Sequence, residues 1–240
     1  MNILTNFKDA PQGLVLVQGL YDLIPVVLFL IGSVILLRKL YSKMVKGCYC
    51  LLSAGSIMVF CAGVLKAFHK IIMGCFQVDY IILDKQFTPT QSIGFLLLFV
   101  SMIGMFTAHN TEHLPKEKTM VVALPALLLL LAEGATQYGD SGLEAFTNLW
   151  PFLSLMIIGA AGFLIMLCII AFKMHKIVDA IFFILSTILM VCMGYLSTNR
   201  TFEGAWMQIT CNALYQGCFL VGCILLKRHG LETAKLFKDK

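Results

Sequence analysis

Long apolar runs, separated by short groups of charged and turn-forming residues, follow one another along almost the whole chain. A helix that crosses a hydrocarbon core about 30 Å thick needs about 20 such residues. The runs predict seven helices, at about 14–37, 47–68, 91–108, 119–137, 149–172, 177–197 and 204–226. None of them alternates apolar and polar residues as a membrane barrel strand does. Because little of the chain lies outside these runs, we expect one domain over 1–240. The predicted fold is an all-α integral membrane protein, a seven-transmembrane-helix bundle.

The distribution of basic residues predicts how this bundle is oriented. Of the 18 lysines and arginines, 13 follow the first, third, fifth and seventh predicted helices. Positive charge accumulates on the cytoplasmic side of membrane proteins, so the N-terminus is expected outside and the C-terminus in the cytoplasm. The net charge of +5 therefore indicates topology, and we do not expect nucleic acid as a partner.

Two pairs of similar segments suggest an internal repeat. KMVK at 43–46 resembles KMHK at 173–176, and SIMVFCAG at 56–63 resembles TILMVCMG at 187–194, at offsets of 130 and 131 residues. Helices one to three would then correspond to helices five to seven in the same orientation, with the fourth as a linker. This is the parallel 3+1+3 plan of sugar-transporting SWEET proteins, although no family signature is present in the residues themselves.

Polar side chains at membrane depth are costly unless they face a cavity or a partner, and they predict where a ligand binds. In the seventh helix Gln208, Asn212 and Gln216 recur every four residues, and in the first helix Gln18 and Asp22 do the same. Most of the polar side chains fall in the outer half of the bilayer, which predicts an outward-facing polar vestibule. The residues expected to bind the ligand are Gln18, Tyr21, Asp22, Lys66, Gln91, Glu133, Gln137, Gln208, Asn212, Tyr215 and Gln216.

Asp22 is the strongest functional candidate, because a carboxylate inside an apolar run must be protonated, paired or solvated. Lys66 and Glu133 are its expected electrostatic neighbours. Lys66, together with His69 and Lys70, is expected to close the second helix in the outer half of the bilayer, whereas Asp179 is expected near the headgroups on the cytoplasmic side. An alternative is that the amides only join helices, at about 1 kcal/mol or less per hydrogen bond, and that Lys66 and Lys70 extend to the interface.

Three functions are compatible with this pattern. The favoured one is a membrane transporter of a small polar solute, coupled to protons or sodium ions; the alternative is a seven-helix receptor or sensor for an extracellular small ligand. An intramembrane enzyme that uses Asp22 and Glu133 is less favoured, and we assign no catalytic residue. His109 and His113 are spaced four apart, but Pro115 follows them and indicates a loop rather than a metal site.

The remaining expectations concern partners and location. We expect no cofactor and no metal, and the nine cysteines are interpreted as small core residues. The expected partners are the lipid bilayer and a small-molecule ligand or substrate, with a homo-oligomer or a signalling partner left open. The expected location is a cell membrane, either a plasma membrane or a bacterial inner membrane.

Overall fold

A computed structural model describes residues 12–78, 81–108, 150–196, 202–232 and 234. Within these ranges the chain forms six long α-helices and no strand, which confirms the all-helical class. The helices are α1 (Gln12–Leu40), α2 (Lys46–Phe76), α3 (Ile81–Ala108), α4 (Trp150–Lys173), α5 (Ile177–Leu196) and α6 (Phe202–Arg228). All six are long and apolar enough to cross a membrane. The helix predicted at 119–137, with Glu133 and Gln137, lies outside the described residues.

The second and third helices are longer than the sequence pattern indicates. The second continues to Phe76, and the third already begins at Ile81. The expectation that Lys66, His69 and Lys70 end α2 is therefore wrong, since all three lie within it and His69 and Lys70 are buried. A lysine can remain inside a membrane helix when an opposite charge neutralises it.

The six described helices form a closed ring. Each packs against the helix before and after it, and α6 packs against α1. The contacts between α1 and α6 show that these two helices run parallel. Tyr21 contacts Trp206, and further along both helices Phe29 contacts Phe219. The ring therefore closes through a pair of parallel helices rather than through a hairpin.

A second parallel contact lies on the other side of the ring, between α3 and α4. The Ser92 hydroxyl donates to the Phe152 carbonyl at 2.6 Å, and Gly162 faces the Phe99 ring. Four helices (α1, α3, α4 and α6) thus run one way, and α2 and α5 run the other way. We call the end where these four begin end A, and the end where they finish end B.

Aromatic rings fill the centre of the bundle. The four parallel helices each contribute one phenylalanine: Phe29, Phe95, Phe163 and Phe219. Ring centroids lie 6.2 Å apart for Phe29 and Phe95, 5.7 Å for Phe29 and Phe219, and 6.0 Å for Phe163 and Phe219. We call these four residues the aromatic cluster; it separates end A from end B with apolar side chains.

The outer surface of the ring is apolar as well. Exposed side chains form rows along α1 and α5, at Val17, Leu20, Ile24, Val27 and Ile31 and at Ile177, Ile181, Ile184, Ile188 and Val191. Water would penalise such surface by about 25 cal/mol per Å², and contiguous apolar patches of this extent are rare on soluble proteins. The natural surroundings of this surface are lipid chains.

Candidate functional site

Three polar side chains lie in the interior near end A. Gln18 and Asp22 are on α1 and Lys70 is on α2, and their exposed fractions are only 0%, 6% and 9%. Gln18 and Asp22 are four residues apart, and both are buried, as expected of neighbours on one helix face. We call these three residues the end A cluster.

Asp22 and Lys70 form a buried ion pair that joins α1 to α2. The ammonium Nζ of Lys70 donates to Oδ2 of Asp22 at 2.5 Å. Lys66, which the sequence suggested as the neighbour of Asp22, instead places its ammonium 4.4 Å from the centre of the Phe87 ring. Removing one partner of a buried pair leaves an uncompensated charge, which costs about 3–5 kcal/mol.

Glycines let the two helices approach closely at the level of the end A cluster. A Cβ on Gly19 would lie 2.9 Å from the amide nitrogen of Ile71, and a Cβ on Gly74 would lie 2.7 Å from that of Leu16. Small residues at such contacts allow membrane helices to pack backbone against backbone. This proximity brings the short Asp22 side chain within reach of the lysine on the facing helix.

The Gln18 side chain lacks hydrogen-bond partners within the described part of the chain. Both its amide nitrogen and its amide oxygen are buried and unpaired there. An amide group can donate two hydrogen bonds and accept two, and each buried group left without a partner costs about 1–3 kcal/mol. Such a group in a native interior usually marks a place for water or a ligand.

Local features of α1 and α6 border the end A cluster. Pro25 is buried in α1 three residues after Asp22, and a proline has no N–H to donate to the carbonyl four residues before it, which here is that of Tyr21. Tyr21 is half-buried, and its ring lies 5.8 Å from that of Trp206 on α6. The aromatic pair thus connects the cluster's helix to the last helix of the ring.

The predicted stripe on α6 is only partly buried. Gln216 is buried, and its amide oxygen has no partner among the described residues. Gln208 and Asn212 are half-buried, as is Gln91 on α3, whereas Tyr215 is buried. The contacts of Tyr21 with Trp206 and of Phe29 with Phe219 place Gln208 and Asn212 between the levels of Tyr21 and Phe29 along α1.

A second buried acidic residue, which sequence reasoning placed near the headgroups, lies at end B. Asp179 is fully buried in the first turn of α5, and its Oδ2 is 2.9 Å from Nδ1 of His229. Its place in the first turn agrees with the expectation that it begins this helix, whereas its burial was not predicted. An acidic residue in a first helical turn is a recognisable stabilising feature, but its burial depends on a segment 50 residues away that no local pattern indicates.

Cysteines and metal ligands do not define a site among the described residues. All nine cysteines are described, and all are free thiols. The described ranges contain no group of three or more histidine, cysteine, aspartate or glutamate side chains placed to hold a metal ion. His109 and His113 lie outside those ranges.

The ring of six apolar helices with an apolar outer face places this chain in the class of multi-pass membrane proteins. No protein-family model, curated protein or solved structure matches it.

Proposed function

We propose that this protein is a transporter that carries a small polar solute across a membrane and binds it at the end A cluster. The observation that carries the proposal is the Gln18 amide, which is fully buried and has no partner among the described residues, one helical turn before the Asp22 of a buried ion pair. A polar solute would supply the hydrogen bonds that the described residues do not. Polar side chains inside a membrane bundle often mark a solute pathway, and a few converging polar groups in an apolar interior are typical of a small-molecule site.

The aromatic cluster supports transport rather than open conduction. Phe29 follows Asp22 by seven residues on α1, which places it about 10 Å further along the helix axis. The four packed rings lie across the path from end A to end B. A solute bound at Asp22 would meet this apolar barrier, so passage would require the helices to move.

The charges of the end A cluster favour a solute without net charge. One carboxylate and one ammonium face each other, and Gln18 is neutral. A solute with a net charge would leave that charge uncompensated in a low-dielectric interior. We propose a small zwitterion, such as an amino acid, whose ammonium would replace Lys70 at Asp22 and whose carboxylate would replace Asp22 at Lys70.

We also propose that the protein has seven membrane helices, with the N-terminus outside. The third helix ends at end B, whereas the fourth begins at end A, and one further membrane helix between them would connect the two ends. This supports the predicted helix at 119–137. Basic residues next to end B, such as Lys39, Lys173 and Arg228, support its placement in the cytoplasm. The membrane would be a plasma membrane or a bacterial inner membrane.

The order of helices in the ring supports the proposed 3+1+3 repeat. A half-turn rotation of the ring moves α1, α2 and α3 onto α4, α5 and α6. Each helix then lies between helices that correspond to its own neighbours. Each half also contains one aromatic contact between its first and third helix, Phe29 with Phe95 and Phe163 with Phe219. Repeats of this kind place the solute between two halves that move against each other.

Ligand binding and flux test the proposal together. Purified protein is screened by thermal shift against amino acids, sugars, nucleosides and small carboxylates, and each hit is then assayed for uptake into proteoliposomes. We expect a zwitterionic hit that is taken up, and loss of both the shift and the uptake in Asp22→Asn. Ser101→Ala is the control, because that buried hydroxyl bonds within its own helix, to Leu98.

The same measurements separate the alternatives. Binding without uptake would favour the receptor or sensor, and conversion of the hit to a product would favour an enzyme. A protein that takes up its ligand equally well with Asp22→Asn would contradict the proposed site.

A further inference from the structure

The other buried aspartate lies at end B and is not explained by the end A cluster. Asp179 is fully buried, its Oδ2 contacts His229, and its Oδ1 has no partner among the described residues. The positive end of the α5 helix dipole favours a carboxylate at this position. Its Oδ1 can therefore still accept a further hydrogen bond.

His229 connects this buried carboxylate to the solution at end B. It follows directly after α6, and about a third of its side chain is exposed (34%), whereas none of the Asp179 side chain is. An imidazole gains and loses a proton near neutral pH, so protons can reach the pair through His229. A histidine in contact with a buried carboxylate forms a stronger, charge-assisted hydrogen bond when it is protonated.

The chain after His229 folds back over end B. Gly230 has a left-handed φ of 79°, and the amides of Gly230 and Leu231 donate to the carbonyls of Lys227 and Leu226. These two hydrogen bonds form a Schellman motif, which ends a helix and reverses the chain direction. Leu231 is buried in the core as a result.

Two further contacts attach this segment to α1 and to the turn that follows it. Glu232 pairs with Lys39 at 2.9 Å, and the Lys43 ammonium donates to the Ala234 carbonyl at 3.0 Å. We call residues 229–232 and 234 the C-terminal flap. It covers end B and is attached to α5 through His229 and to the α1 side through Glu232 and Ala234.

Other titratable or charged groups lie on the elements packed around the pair. On the packed elements and the adjoining turn they are Cys168, Lys173, His175, Lys176, Lys227, Arg228 and Glu232. The thiol of Cys168 donates to the carbonyl of Ala180, and Lys173 lies over the Phe106 ring. Glu232 is engaged with Lys39. The contact that the structure describes for the Asp179 side chain is the one with His229.

We propose that Asp179 and His229 form a proton-binding site at end B, and that the bound proton holds the C-terminal flap closed. When His229 is protonated, its bond to Asp179 is charge-assisted and the flap is docked. As pH rises and His229 loses its proton, the bond weakens and Leu231 becomes accessible. The proposal concerns protonation and accessibility, so it does not rest on the proposed transport.

Protonation is tested by NMR of the five histidines in isotopically labelled protein, with the His229 signal assigned by its loss in His229→Gln. We expect Asp179→Asn to lower the proton affinity of His229, because the neighbouring carboxylate is gone. His175, exposed in the α4–α5 turn, is the internal control and should titrate unchanged.

Flap closure is tested by thiol labelling of Leu231→Cys in a chain whose exposed Cys50, Cys61, Cys75 and Cys192 are replaced by serine. Rates are normalised at each pH to His175→Cys in the same background, which corrects for thiol ionisation. We expect normalised labelling about tenfold faster at pH 8 than at pH 6, and no such ratio after Asp179→Asn or His229→Gln.

Either of two results would overturn the inference. One is a normalised labelling rate that is the same at both pH values in the chain that retains Asp179 and His229. The other is a His229 titration that Asp179→Asn does not move. If Asp179→Asn does not fold, His229→Gln decides the labelling experiment alone, since it keeps a hydrogen-bond donor but cannot take up a proton.

Discussion

Asp22 near end A and Asp179 at end B both lie inside a bundle of apolar helices, but different partners neutralise them. Asp22 contacts a lysine on the next helix, and Asp179 contacts a histidine just beyond the end of the last helix. A lysine ordinarily keeps its proton throughout the neutral pH range, whereas a histidine does not. The same residue type thus has a lysine as its partner at one end and a histidine at the other.

The largest expected effect comes from breaking the Asp22–Lys70 pair. Lys70→Met leaves the Asp22 carboxylate buried without a cation, and we expect it to lower the free energy of unfolding by about 3–5 kcal/mol. Thermal unfolding of the purified protein measures this. The matched control is Lys66→Met, one helical turn earlier, which removes a contact with Phe87 worth about 0.5–1 kcal/mol.

A double variant checks that the loss comes from the pair. Asp22→Asn combined with Lys70→Met removes both charges, so we expect most of the stability to return. Equal losses in the single and double variants would mean that Lys70 acts through its other contacts rather than through Asp22.

The helices of this protein were predictable from its apolar runs, but their ends were not. The pattern ended the second helix at Phe68 because Lys66, His69 and Lys70 interrupt it, yet α2 continues to Phe76. Lys70 is tolerated because Asp22, 48 residues earlier, neutralises it. A pattern read along one helix contains no information about such a distant partner. The predicted helix at 119–137 stays a prediction.

For the candidate site, the residues that share one helix face were predictable, but their partner on the facing helix was not. Helical spacing placed Gln18 and Asp22 on one face, and both are buried together. The choice of Lys66 rather than Lys70 as their neighbour depended on the packing angle of two helices, which spacing does not fix. Asp179 begins its helix as expected, but its contact with His229, 50 residues later, could not be read from helical spacing.

The second prediction concerns the Gln18 amide at end A, which has no partner among the described residues. If Gln18 serves a solute rather than the fold, Gln18→Leu removes an unsatisfied amide from the interior and should stabilise the solute-free protein by about 1–2 kcal/mol. The thermal shift caused by a bound solute should disappear at the same time. Ser56→Ala is the control, since that hydroxyl bonds to Leu52 in its own helix. Destabilisation by Gln18→Leu would instead indicate that the amide joins helices.

The third prediction concerns the pH dependence that distinguishes the two pairs. His229→Gln keeps a donor to Asp179 but no charge, so we expect a loss of about 1 kcal/mol where His229 is protonated. This contribution is present at low pH and is lost as pH rises through the titration of His229. The difference in unfolding temperature from the unmodified protein should therefore be about 2–4 °C near pH 5.5 and negligible near pH 8.5.

The matched comparison uses the other end of the molecule. The double variant of Asp22 and Lys70 should differ from the unmodified protein by the same amount at both pH values, because a lysine does not titrate in this range. A His229→Gln difference that is independent of pH would remove the distinction between the two pairs.

The smallest effects are expected at the chain reversals that shape each end. Gln77, which ends α2 at end A, has a left-handed φ of 56°, and Gly230 at end B has one of 79°. A residue with a Cβ is strained in this conformation. Gln77→Gly should therefore stabilise the protein by about 0.5 kcal/mol, and Gly230→Ala should destabilise it by about 1 kcal/mol. Only Gly230→Ala should also speed labelling of Leu231→Cys, because only that reversal positions the flap. Faster labelling with Gln77→Gly would mean that the two ends are coupled through the bundle and cannot be treated as separate sites.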